Sequence, residues 1–165
     1  MRALLLLFAL LVAAPAGAQT FPQLTGRVVD RAGLLSSAEE ARLSADLAAL
    51  ERRTTDQVVI VTVPSLEGRS IEAFGRALGN IWGIGQRGRD NGVLLIVAPA
   101  ERKTRIEVGY GLEAILTNGR AARIIERDMV PRFRESRWFA GIAGGTRSII
   151  ATLIEHEDEV RVRQR

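Results

Sequence analysis

Two stretches of this chain, QVVIVTV at residues 57–63 and GVLLIVA at 92–98, are almost unbroken runs of apolar and β-branched residues. Runs of this kind read as strands covered on both faces, which demands a central sheet with helices on either side. The intervening and flanking segments supply such helices. Ser36-Ser37-Ala38-Glu39 is a capping box, and the helix it opens runs to about Arg53 with Leu43, Leu47 and Leu50 on one face. Ser70 caps a second helix in which Ile71, Phe74, Leu78 and Ile81 or Trp82 recur at helical spacing. Gly26 to Asp30 (GRVVD) supplies a short first strand.

Beyond the second run the pattern changes. In KTRIEVG (103–109), Thr104, Ile106 and Val108 alternate with Lys103, Arg105 and Glu107. One wet face fits an antiparallel strand near the sheet edge, reached through the connector Pro99 to Arg102. Thr117 or Asn118 caps a third helix carrying Ile124, Ile125 and Met129, and Pro131 marks a break or kink. A fourth helix, from about Arg137 to Ile154, packs through Phe139, Ile142, Ile149, Ile150 and Leu153. Its Gly141, Gly144 and Gly145 cost helix stability, so they read as places of close helix approach. The order β-α-β-α-β-β-α-α predicts an α/β fold: a three-layer α/β/α sandwich around a central mixed sheet.

The N-terminus, MRALLLLFALLVAAPAGAQT, has a basic residue, an apolar segment and an A-x-A site, the pattern of a secretory signal peptide. The expected organisation is signal peptide 1–18, an N-terminal lead 19–26, one folded domain 27–154 and a charged tail 155–165 (EHEDEVRVRQR), which reads as a solvated helix end or a frayed tail and not as a site. The expected location is periplasmic or secreted. No later segment is long and apolar enough to cross a membrane, so no span is expected in the mature chain. Cysteine is absent, which removes disulfides and thiolate metal sites. The lone His156 falls in the charged tail, where exposure to solvent is expected, and argues against histidine zinc sites and Ser-His-Asp chemistry. The 23 basic side chains are interspersed with 19 acidic ones and aromatics are few, so no nucleic acid is expected as partner.

Two motifs fail on context. Gly83-Ile84-Gly85-Gln86-Arg87-Gly88 spells G-x-G-x-x-G, but it leaves a helix and enters a strand, the reverse of a dinucleotide loop. Val108-Gly109-Tyr110-Gly111 spells the core of a potassium filter without the pore helices that a filter needs.

A more informative constellation follows from pairing. If 92–98 and 103–109 form a hairpin with Ala98 opposite Lys103, then Gly92 falls opposite Gly109. The loop carrying Asp90 and Asn91 then lies beside the loop Tyr110–Asn118, which holds Glu113, Thr117 and Asn118. These are hard oxygen donors of the kind calcium or magnesium takes. The same residues have ordinary roles too: Asp90-Asn91-Gly92 as turn chemistry, Asn118 as a helix cap, Glu113 as a solvated loop acid. Asp30 is a further possible neighbour that spacing alone does not place.

Several segments together carry a resemblance. VVDRAGLLSSAEEARL, VVIVTVPSLEGRSIEAFGRAL, WGIG, RDNGVLLIVAPAERKTRIEVGYGLEAILTN and MVPRFRE–RWFAGI closely resemble the TPM domain family over about residues 27 to 154. The resemblance implies an α/β/α sandwich, an extracytoplasmic or thylakoid-lumen location and divalent-cation binding, chiefly calcium. For plant relatives it implies acid phosphatase activity and a link to photosystem II repair. The family's site lies in the DNG and GYGLE…LTD loops, so Asp90 and Glu113 match its acids, while Asn118 stands where many relatives have Asp. That lost charge implies weak binding. Many bacterial relatives continue into a C-terminal membrane helix and Gly-rich tail, and this chain ends at Arg165, which suggests a free periplasmic form.

The candidate metal ligands are therefore Asp90, Asn91, Glu113 and Asn118, with calcium the expected cation and magnesium the alternative. The leading expectation is a cation-binding module acting with envelope or membrane proteins. A metal-assisted acid phosphatase comes second, with Arg87, Arg89 or Arg120 as substrate clamps and no catalytic residue assigned. A structural interaction domain with an empty site comes third.

Overall fold

A computed structural model describes residues 21–163, so the expected signal peptide at 1–18 lies outside the described residues. Four strands form one sheet in the order β1 (Val28–Asp30), β2 (Gln57–Thr62), β3 (Gly92–Ala98) and β4 (Lys103–Val108). The first three are parallel and β4 is antiparallel at the edge. The hairpin register pairs Ala98 with Lys103 and Val93 with Val108, as its sequence requires.

The strands are buried on both faces because alternate residues enter two separate cores. Val28, Ile60 and Leu95 pack with Leu43, Leu47 and Leu50 of α1 (Ser37–Thr54) and with Ile142 and Ile149 of α5 (Trp138–Arg163). Val59, Val61, Leu94 and Ile96 pack with Ile71, Phe74 and Leu78 of α2 (Ile71–Trp82) on the opposite face. The result is the expected three-layer sandwich.

The topology carries one departure from the usual rule. Strands β1, β2 and β3 are laid down in one direction across the sheet, yet α1 and α2 cover opposite faces. Two crossovers stepping the same way with helices on opposite faces have opposite hands, so one of them is left-handed, against a strong right-handed preference.

Local chemistry sets the helix ends. Ser36 and Glu39 form the reciprocal capping box of α1, Ser70 caps α2, and Gly83 ends α2 in the left-handed conformation. Thr117, not Asn118, caps α3 (Asn118–Ile124) by accepting from the Arg120 N–H. A π-helical turn (Ile125–Met129) and the short α4 (Val130–Arg134) follow, placing the irregularity just ahead of Pro131. Gly145 lies so close to Met129 that a Cβ would press on its sulfur, which accounts for that glycine in α5.

Three expectations need correction. The last helix does not stop near Ile154 but continues through Arg163, and its final turns meet the end of α1, where Arg53 pairs with Asp158 at 2.7 Å and Arg161 donates to the Arg53 carbonyl. His156 is accordingly half-buried within α5, not an exposed tail residue. The polar face of β4 is not simply wet: Arg105 and Glu107 form a half-buried ion pair beneath α2, where Gly75 leaves room for them. Among the described residues no helix is long and apolar enough to cross a membrane.

Candidate metal site

The hairpin register brings the start of β3 against the end of β4. The Gly109 N–H donates to the Gly92 carbonyl at 2.8 Å, and one step further out the Gly111 N–H donates to the Asp90 carbonyl at 3.1 Å. Two loops distant in the local chain are thus fastened main chain to main chain. A Cβ at Gly109 would collide with the Asp90 carbonyl oxygen, and one at Gly111 with the Arg89 carbonyl oxygen. Only glycine permits this approach.

Asp90 sits at φ +49°, in the left-handed region that aspartate tolerates better than most residues, and its N–H donates to the Gln86 carbonyl at 3.0 Å. It is therefore a turn residue in backbone terms. Its carboxylate accepts no hydrogen bond among the described residues, and Asp90 lines a cleft of about 770 Å³ together with Glu113 and Asn118. Glu113 follows the 3₁₀ turn Tyr110–Leu112, and Asn118 is the first residue of α3, its side chain spared from capping by Thr117. All three are exposed.

Asn91 has a different task. It is 5 % exposed. Its Oδ1 accepts from the Gln86 N–H at 2.8 Å, while its Nδ2 donates to the Thr55 carbonyl at 3.0 Å and to Asp56 Oδ1 at 3.2 Å. The amide braces the α1–β2 turn to the loop before β3 and does not line the cleft. Burial raises the Asp56 carboxyl above the ordinary aspartate range, partly offset by the hydrogen bonds from Asn91 and Thr54. Asp30 is not a neighbour either. It pairs in register with Thr62 at the opposite end of the sheet, where its carboxylate accepts from the Leu35 N–H and the Thr62 hydroxyl.

The arginines of the cleft also differ from those expected. Arg89 donates to the Thr55 hydroxyl and Arg120 to the Ile115 carbonyl, and neither they nor Arg87 belong to the cleft wall. Arg76 and Asn80 of α2 do, together with Arg105. The signal for the first two was their i, i+4 spacing, which puts both on one face of α2. What periodicity could not say is that this face passes the end of β3.

As a donor set, two carboxylates and an amide on loops rich in carbonyls are hard oxygens, the chemistry of calcium or magnesium. Among the described residues no group of three or more His, Cys, Asp or Glu side chains is placed to hold an ion. Asp90, Glu113 and Asn118 thus share one cleft without forming such a cluster.

Comparison with known proteins places the chain. The family model for the TPM domain matches residues 28–152. The chain belongs to the TPM domain family. The match includes Asp90, Asn91, Glu113 and Asn118. Among solved structures, this TPM domain is similar to the N-terminal domain of a protein from P. gingivalis, with 34% identity and a TM-score of 0.76, over 81% of this chain and 85% of that one. The N-terminal domain of the cg2496 protein from Corynebacterium glutamicum shares the fold at 16% identity and a TM-score of 0.59, covering 85% of each chain. So does the BA42 protein from the psychrophilic bacterium Bizionia argentinensis, at 14% identity and 0.61, over 73% of this chain and 82% of that one. No curated protein matches.

Proposed function

We propose that this TPM-domain chain is an exported module that binds a divalent cation, calcium before magnesium, and works with envelope or membrane proteins. The observation that carries the reading is the main-chain lock between the two loops. It brings Asp90 and Glu113 to one cleft, where neither carboxylate accepts a hydrogen bond or enters an ion pair among the described residues. Export is supported by the leader-like N-terminal twenty residues. With one amide where a third acid would serve, affinity belongs near the weak end of extracellular calcium sites, about 10⁻⁴–10⁻³ M.

Calorimetric titration of calcium into the purified protein tests this. Wild type should bind in that range, Asp90→Asn should lose binding, and Asn118→Asp should tighten it by about tenfold through the added charge. Absence of binding in both wild type and Asn118→Asp contradicts the reading and leaves an interaction domain with an empty site.

One observation favours a second reading, metal-assisted hydrolysis of a phosphate ester. Arg76 lines the same cleft and makes no ion pair among the described residues. A bound cation would supply charge neutralisation at phosphate oxygens, and the Arg76 guanidinium would hold the remaining ones. Turnover lost in both Arg76→Gln and Asp90→Asn supports that reading, whereas turnover surviving in both places the activity elsewhere.

A further inference from the structure

The opposite end of the sheet holds a second cavity, of about 590 Å³, that the cation reading does not use. Its position follows from the topology. The chain leaves β1 toward the face covered by α1 and leaves β2 toward the face covered by α2. Adjacent parallel strands whose exits diverge in this way open a crevice at their carboxyl ends, the place where open α/β sheets bind ligands. The cavity lies there, between Asp30-Arg31 at the end of β1 and the loop Val63–Glu67 after β2.

Its walls are braced. The Asp30 carboxylate ties the first loop to Leu35 and Thr62, and Glu101 accepts from the Ser65 hydroxyl and the Leu66 N–H at 2.8 Å each, anchoring the second. Glu67 stands at φ +51° in a tight turn at the rim. Five ionic side chains line the cavity; the Asp30 carboxylate is spent on Leu35 and Thr62, and among the described residues none of the other four, Arg31, Arg69, Glu40 and Glu67, enters an ion pair. The apolar part is aromatic: Phe21 lies against Phe74 with ring centroids 5.3 Å apart, and the Arg69 guanidinium sits 4.6 Å over the Phe21 ring. The helix N-termini nearby are already satisfied by Ser36 and Ser70. Charge recognition here therefore falls to the side chains.

Two cations and two anions around one aromatic-walled cavity, left unpaired with one another, complement a ligand that itself carries both signs. We propose that this crevice binds an amino acid or short peptide with both termini free. Its carboxylate is received by Arg31 and Arg69, its ammonium by Glu40 and Glu67, and its apolar side chain by Phe21 and Phe74. The site is independent of Asp90 and Glu113.

The test is an amide-resolved NMR titration of the purified protein with the dipeptide Ala-Phe, its N-acetyl form and its C-terminal amide. Free Ala-Phe should shift resonances of residues 31–40 and 64–69, and blocking either terminus should weaken binding at least about tenfold. Arg31→Gln and Glu67→Gln, both at exposed positions whose folding the same spectra verify, should each weaken the free dipeptide comparably, while Asp90→Asn should not change it. Equal binding of the N-acetyl form overturns the two-sign site in favour of a simple carboxylate site. No shift in this region at about 10 mM dipeptide, a concentration that would reveal even millimolar binding, overturns the proposal outright.

Discussion

The two ends of the sheet put the same residue type to opposite uses. Asp30 closes β1, and both its carboxylate oxygens are consumed, one by the Leu35 N–H and one by the Thr62 hydroxyl. Asp90 stands ahead of β3 with its backbone fully engaged and its carboxylate without a hydrogen bond among the described residues. Next to it, Asn91 repeats the Asp30 solution, with its amide spent on Gln86, Thr55 and Asp56. The difference separates acids that build the fold from acids that the fold presents. A polar side chain that satisfies buried partners is costly to remove, and one held by its backbone alone is available for a ligand.

The comparison can be broken most forcefully through the backbone lock. Gly109→Ala or Gly111→Ala should cost on the order of 3 kcal/mol in chemical denaturation, because the new methyl meets a carbonyl oxygen of the partner loop. A cost under about 1 kcal/mol would mean that the loops are not fastened as described. Next in size, Asn91→Ala should lose about 2 kcal/mol by stranding the Gln86 N–H and the Thr55 carbonyl. Asp90→Asn, which keeps a residue tolerant of the left-handed region, should change cation-free stability by less than about 0.5 kcal/mol. If the two neighbours cost the same, the division of labour between them is wrong.

The smallest effect concerns pH. Burial raises the Asp56 carboxyl in the folded protein, so its ionised form carries a penalty at pH above the folded value, and that penalty fades as pH falls toward the unfolded value. Asp56→Asn keeps an oxygen for the Asn91 amide. It should be slightly more stable than wild type at neutral pH, with the advantage shrinking on acidification. An advantage that grows on acidification would reverse the sign of the burial argument.

Much of this was legible in the sequence for reasons that are local. The hairpin turn between Ala98 and Lys103 sets the register, and register alone brings the Asp90 loop beside the Glu113 loop. The three-layer sandwich follows from β2 and β3, which are buried on both faces. What was not legible depends on direction in space. Spacing puts Asn91 next to Asp90 but does not say that its side chain turns inward to the α1–β2 turn. Nearness in sequence suggested Arg87, Arg89 and Arg120, while the cleft takes Arg76 from a helix that crosses it. The last turns of α5 read as a solvated helix end or a frayed tail, because the contact that joins them to α1, Arg53 with Asp158, spans over a hundred residues. The faces taken by α1 and α2 are also invisible in one dimension, and they decide where the second crevice opens.

The most direct test of the presented acids is thermal unfolding in EDTA and at rising calcium, with Asp90→Asn and Glu113→Gln beside wild type. At about 100 times the dissociation constant, a ligand bound only to the folded state adds ~2.7 kcal/mol, or several degrees for a domain of this size. The account predicts that rise in wild type and its loss in both variants, whose EDTA curves should overlay the wild-type curve. A midpoint indifferent to millimolar calcium and magnesium, or a rise that survives in either variant, would contradict it.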